Sequence, residues 1–458
     1  MQKVILVEFN ELCPALLDQW MGSGTLPNFK RLHDASDVFI TVPDVEEPVN
    51  LEPWIQWYSI HTGLPFAQHH VFHLTDGPRA GHPDIWSILH DSGKSVWNCS
   101  SMNAKQFSFP GSAYLPDPWC TTEQSHPHEL NTFHKFVSNQ VREYSNKSRG
   151  VGVSDMLKFL IFMVRNGLRP STVVAVVKQY LSEFRTSGKT SWQRVALQDR
   201  FLFDVFSSYY KRLQPDFSTY FANSTAHLQH SFWRHMEPEK FMVKPSQDDS
   251  DRYSDAIQFG YQQMDRLLGD ILRVAGPDTR VIFASALSQQ PYLKYEHIGG
   301  HNFYRPRNIE KLFEKLALRF VTLQPVMTHQ FLVKFGDDES AAAARSLLAS
   351  LTVDGKPIFG FDEAEPGALY FGSQIRTVVP VGSVVLSSSD PEFRVDFSDW
   401  FYKIEGLKSG RHHPDGCLWV QTGQHQRHQD KVSILDILPT IASLLKVPVQ
   451  GFPGRALL

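Results

Sequence analysis

Short apolar runs bounded by turn residues alternate along this chain with segments whose apolar positions recur at helical spacing. Val4-Ile5-Leu6-Val7 reads as a buried strand, and Pro14, suited to a first helical turn, starts a helix behind it. Asp84–Ser92 predicts a helix ended by Gly93, with Ser95–Asn98 as the next strand. Ile257, Tyr261, Met264, Leu268 and Ile271 fall on one face of a helix that Gly276-Pro277-Asp278 breaks, and Val281–Ala284 reads as the strand that follows. Asp436–Leu445 is a last apolar helix before a tail rich in Pro and Gly. Alternation of this kind predicts an α/β fold with a mostly parallel sheet flanked by helices.

Residues 151–213 depart from that pattern, being helical throughout and rich in basic and aromatic side chains. They predict a helical insertion or cap on an α/β core formed by residues 1–150 and 214–458, and residues 305–375 suggest a second excursion. No apolar stretch reaches the roughly 18 residues of a membrane span. Met156–Val164 comes nearest, but Lys158 breaks it and Arg165 closes it, so a soluble amphipathic helix is expected there ahead of a membrane-surface one.

Composition narrows the class. With 458 residues, 42% of them hydrophobic and 12% aromatic, the chain can build a sizeable core, which excludes wholesale disorder. Lys+Arg 45 against Asp+Glu 48 leaves a net charge of -3, so no polybasic nucleic-acid surface is advertised. The four cysteines lie far apart with no CxxC pair, which argues against a disulfide framework or a zinc finger and fits a reducing compartment. The first apolar run is too short for a signal peptide, and Glu8 and Glu11 follow it, so a cytoplasmic location is expected. No P-loop, G-x-G-x-x-G or G-x-S-x-G elbow is present. The 20 histidines are the compositional oddity, and they come in clumps.

Several segments share an order with a known family. Leu26-Pro27-Asn28-Phe29-Lys30-Arg31-Leu32 follows the opening strand; Trp57, Thr62-Gly63, Pro65 and His69 fall as in a "TGxxPxxHG" segment; Ile85-Trp86-Ser87-Ile88-Leu89 precedes Gly93-Lys94. Asn223 to Pro238 is similar to a "TxxDxxxHxxW" stretch, His412 to Gly416 to an "HxPxG" turn, and Ser433 to Thr440 to a closing helix. Singly these motifs are weak; in this order, over nearly the whole chain, the sequence resembles the alkaline phosphatase superfamily, in its type I phosphodiesterase/nucleotide pyrophosphatase-like branch. The resemblance implies that family's fold and a site where two metal ions hold a Ser or Thr nucleophile and clamp a phosphoryl group, paired cations neutralising the charge that develops on its oxygens.

Carried over residue by residue, most of that site is substituted. The first-strand Asp falls on Asn10, the nucleophile on Pro53 or Leu51, and the Asp-His pair after the late strand on Ala286-Leu287. Of the other metal set, the Asp falls on Ala226 but the two histidines fall on His230 and His412. His227, three residues before His230, shares its helical face, so His227, His230 and His412 form a candidate set for one zinc or manganese, against which stands a set of hydrogen-bonded pocket histidines. The family's two-metal site is not expected.

Other residues are candidates on their chemistry. Glu52 could serve as general base, and His297 and His301, around Gly299-Gly300, as an acid/base pair or as exposed turn residues. Asn10, Gln56, Gln289 and Gln290 carry amides that could hold a polar substrate. The expectation is a divergent hydrolase or group-transfer enzyme on a phosphate- or sulfate-ester substrate, a small molecule or glycan-linked, using at most one metal. The alternative is a non-catalytic member of the fold that binds an anionic ligand or a protein partner.

Overall fold

The computed structural model describes residues 2–458 apart from 46–50, 75, 121–122, 146–151, 327–328 and 405. Its centre is a nine-stranded sheet built on β1 (Lys3–Phe9), β2 (Ser36–Val42), β3 (Val96–Cys99), β4 (Ala113–Leu115), β5 (Phe217–Ala222) and β6 (Thr279–Ser285). β1 lies in the middle, parallel to β5 on one side and to β6 on the other, and β3 and β4 continue the parallel run beyond β5. Beyond β6 the strand Gly416–Gln421 is antiparallel to it and to β2.

The pleat of β1 explains why its sequence is continuously apolar. Ile5, Val7 and Phe9 enter one core with Phe29, Tyr261 and Phe283, while Val4 and Leu6 enter the core on the opposite face with Trp57, Ile60 and Ile437. A sheet covered by helices on both faces leaves no polar side to alternate with.

Residues 153–213 form three helices, Val153–Arg165, Pro170–Arg185 and Val195–Leu213. The last of them packs as a layer of the main core: Phe203 and Phe206 meet Tyr220 of β5 at ring distances of 5.9 and 5.3 Å. A separate apolar cluster gathers residues from Tyr304 to Phe401, wider than the 305–375 stretch. It rests on the antiparallel strands Thr322–Pro325, Gln330–Lys334, Phe359–Asp362 and Ala368–Ser373 and on the helix Asp338–Ser350. No helix among the described residues is long and apolar enough to cross a membrane.

Candidate functional site

The carboxyl ends of β1, β5 and β6 open on one edge of the sheet, where open α/β folds bind ligands. Asn10 and Glu11 continue directly from β1, Glu11 in the left-handed region at φ 62°. The helix Ser224–Met236, which follows β5, carries His230. The strand Gly410–His413 carries His412 and pairs with β7 (Ser288–Pro291), His412 standing opposite Gln289.

Three potential ligand atoms meet there. His230 Nε2 is 3.1 Å and His412 Nε2 3.6 Å from Glu11 Oε2, and the three lie within 4.8 Å of one another. Bonds of about 2.0–2.1 Å at tetrahedral angles set the ligand atoms of zinc roughly 3.3 Å apart, so the spacing suits one ion with a fourth position open.

The proton positions sharpen this. His230 Nδ1 faces the Gly410 carbonyl at 3.1 Å, and His412 Nδ1 the Leu51 carbonyl at 2.7 Å. A carbonyl oxygen only accepts, so Nδ1 carries the proton in both rings. In the neutral His412 ring Nε2 then turns a lone pair toward a carboxylate oxygen, itself an acceptor. Burial outweighs the Glu11 charge and brings the His412 imidazole down to about 4, so that ring is neutral near pH 7. Burial would raise the Glu11 carboxyl, but the charges of His230 and His412 and the hydrogen bonds of His230 and Gln289 outweigh it and bring it down to about 2. A carboxylate oxygen facing two imidazole Nε2 atoms fits a cation between them.

A surrounding network fixes Glu11. Gln289 Nε2 donates to Glu11 Oε2 and, at 3.0 Å, to the Ala226 carbonyl; Asn10 Nδ2 donates to Glu11 Oε1 at 2.9 Å. Gln229 Nε2 donates to the Glu11 carbonyl at 2.8 Å and is itself held by the Tyr261 hydroxyl at 2.9 Å. Gly410 is required by crowding: a Cβ there would lie 2.5 Å from the Gln229 carbonyl oxygen and 2.2 Å from Gln289 Oε1. Gly410→Ala is expected to lower the thermal midpoint and weaken metal binding together, read by melting curves with and without added zinc.

The fold brings His230 and His412 together with Glu11 rather than with His227, which lies partly buried on the same helix outside that group. Burial and the charge of His230 lower the His227 imidazole to about 4. Glu52 Oε2 stands 3.5 Å from His412 Nδ1 at the rim, its side chain 40% exposed. Burial raises its carboxyl to about 7 against the pull of Lys408, an effect its contact with water blunts. Gln289 and Asn10 are buried braces of Glu11, and Gln290 Nε2 donates to the His412 carbonyl at 3.1 Å. Gln56 is buried within the helix Pro53–Thr62. His297 is exposed on a short turn, whereas its neighbour Glu296 is buried.

His301 lies instead in a cage of Tyr292, Tyr295 and Phe303, with ring distances of 5.7, 4.8 and 4.3 Å. Burial and the charges of Lys408 and Arg376 lower its imidazole to about 3, so it is neutral. Lys294 and Arg376 sit 5.6 and 5.3 Å from the centre of the Tyr295 ring, and Lys408 5.4 Å from that of Tyr292. Lys408 also acts on Glu52 and His412, which joins this cationic cage to the Glu11 group.

Glu11 is the member of this group that sequence reasoning missed. It is one position past the place where the family's acid falls, and the signal available was only an acidic side chain just beyond a strand end. Ala286 and Leu287, where the resemblance sets the second metal pair, are buried in the core; of the two alternatives for the nucleophile's position, Leu51 turns its carbonyl to His412 and Pro53 lies in the first turn of its helix.

No family model and no curated protein matches the sequence. Among solved structures, the chain is similar to phosphonoacetate hydrolase from Sinorhizobium meliloti 1021 in complex with phosphonoformate, at 14% identity and a TM-score of 0.42 over 97% of this chain and 96% of that one. It is also similar to murine ectonucleotide pyrophosphatase/phosphodiesterase 5, at 10% identity and a TM-score of 0.41 over 99% and 98%. The wild-type alkaline phosphatase PafA aligns at 12% identity and a TM-score of 0.47 over 100% and 98%.

Proposed function

We propose that the Glu11–His230–His412 group holds one zinc or manganese ion in a divergent hydrolase acting on an anionic ester, a phosphate or sulfate monoester or diester of a small molecule or glycan. The supporting observation is the pair of imidazoles whose Nδ1 protons are committed to backbone carbonyls while both Nε2 atoms face one carboxylate oxygen. A bound ion there would polarise the ester and activate water. The chain's own residues supply the rest. Lys408, with Arg376 and Lys294, draws the anionic substrate to the rim, and Glu52, beside His412, takes up the proton of the attacking water. Asn10 and Gln289 keep Glu11 in place, and the neutral His301 lines the cationic cage.

A binding-only reading has one observation in its favour, the occupation of the nucleophile's place by Leu51 and Pro53, neither of which has a side chain that can attack a phosphoryl group. Elemental analysis of the purified chain, together with assays on nitrophenyl phosphate, phosphodiester and sulfate esters with added zinc or manganese, separates the two. We expect about one ion per chain, turnover of at least one ester, and loss of both in His230→Ala. Stoichiometric metal with no turnover on any ester leaves the binding reading; no metal at any loading removes the proposed centre.

A further inference from the structure

The helices Val153–Arg165 and Pro170–Arg185 both leave apolar side chains in solvent. In the second, the residues turned inward are polar: Thr172, Gln179 and Glu183 are buried, and Gln179 Nε2 donates to Glu183 Oε1 and to the Thr190 carbonyl, both at 2.8 Å. Its apolar stripe points outward, with Val174, Val177, Leu181 and Phe184 exposed, Phe184 at 88%. The first helix buries Phe159, Phe162 and Met163, yet leaves a second apolar stripe in solvent that includes Leu157 and Leu160. Both stripes recur every three to four residues, the spacing of one continuous helical face. Both helices pack on Val195–Leu213, and apolar stripes left in solvent on a folded chain mark an interaction site.

The charges say what covers it. Lys158, Arg165, Lys178 and Arg185 are exposed along the same two helices, and only Lys158 has an acidic neighbour within ion-pair distance among the described residues, Asp155 at 3.8 Å. A second copy meeting this patch symmetrically would set these cations against themselves. An anionic lipid surface would neutralise them while its acyl region takes up the apolar stripes. We infer that the 153–185 helix pair is a membrane-surface docking element that lies on anionic bilayers without crossing them. This inference is independent of the chemistry proposed for the Glu11 group.

The test is flotation of the full chain with vesicles of phosphatidylcholine alone and with about a third of it replaced by phosphatidylglycerol. The chain is expected to float with the anionic vesicles and to be released as salt rises. The Leu160→Gln/Val177→Gln/Phe184→Gln variant, altered only at exposed positions, should lose vesicle partitioning by about tenfold or more with its melting temperature unchanged. The Arg165→Glu/Lys178→Glu/Arg185→Glu variant should lose the preference for anionic vesicles. Failure of the chain to float with either vesicle would overturn the inference, as would flotation of the apolar variant at the wild-type level. A dimer in sedimentation that the apolar variant abolishes and vesicles do not compete away would assign the patch to a second copy instead.

Discussion

Replacing Glu11 with Gln is expected to cut zinc affinity by more than the roughly 10–100-fold typical of changes one shell away from a metal, with titration against a competing chelator as the measurement. The substitution keeps the shape of the side chain and removes its charge, so the response isolates the electrostatic part of the site. Glu11→Ala goes further. It removes one acceptor from each of the amides of Asn10 and Gln289, which keep Asn223 Oδ1 and the Ala226 carbonyl, so each lost hydrogen bond costs about 0.5–1.5 kcal/mol. Acid should imitate the Gln variant. The Glu11 carboxyl titrates at about 2 in the fold against 4.5 as an ordinary glutamate, so the folded state binds its proton later than the unfolded chain. Its stabilising contribution is therefore complete above about pH 4.5 and is lost as the pH falls through about 2. In Glu11→Gln the melting temperature should fall less steeply across that interval; an identical acid profile in the two proteins would show that the carboxylate is not held as described.

The second large effect lies one helical turn further along. Arg234, on the helix that carries His230, grips Glu296 through two bonds of 2.9 and 2.7 Å, and both side chains are about 95% buried. Glu296 also accepts from the Val243 amide at 2.9 Å, and Arg234 lies 4.4 Å from the Phe241 ring centre. Removing either partner leaves a buried charge uncompensated, which costs about 3–5 kcal/mol. We expect Arg234→Met and Glu296→Ala each to lower the urea midpoint by that equivalent. The Arg234→Met/Glu296→Met double variant should recover part of the loss, because an apolar pair leaves no lone charge behind. Single variants within about 0.5 kcal/mol of wild type would show that the pair is screened and not a structural anchor.

The parts of the fold and site that could be read from the sequence are those in which residue type alone carries the physics. The unbroken apolar run of β1 dictates a strand covered on both faces, and His230 and His412 keep the one side chain suited to their position. Glu11 could not be read this way, because its place beside His230 and His412 depends on a left-handed backbone turn just after β1. Glu296 escaped for a related reason: the histidines and glycines around it drew the chemical reading, while its importance comes from a distant arginine. The Pro170–Arg185 helix shows the opposite case. Its apolar periodicity is that of a core-facing helix, and only the packing of Thr172, Gln179 and Glu183 reveals that the face was reversed.

The amide of Asn10 has one further consequence. Its Oδ1 accepts from the Trp57 indole at 2.8 Å, which forces Nδ2 toward Glu11 Oε1 and toward Asn223 Oδ1 at 2.7 Å. The indole therefore acts as a latch on amide orientation, and the latch divides the two oxygens of Glu11 between different tasks. Oε1 accepts from the Asn10 amide, while Oε2, which accepts from Gln289, is the oxygen that both imidazoles face, so a cation held there would meet one carboxylate oxygen. An ion that demands a chelating carboxylate and many oxygens, such as calcium, would be poorly served, whereas one content with three compact donors and a free position would not.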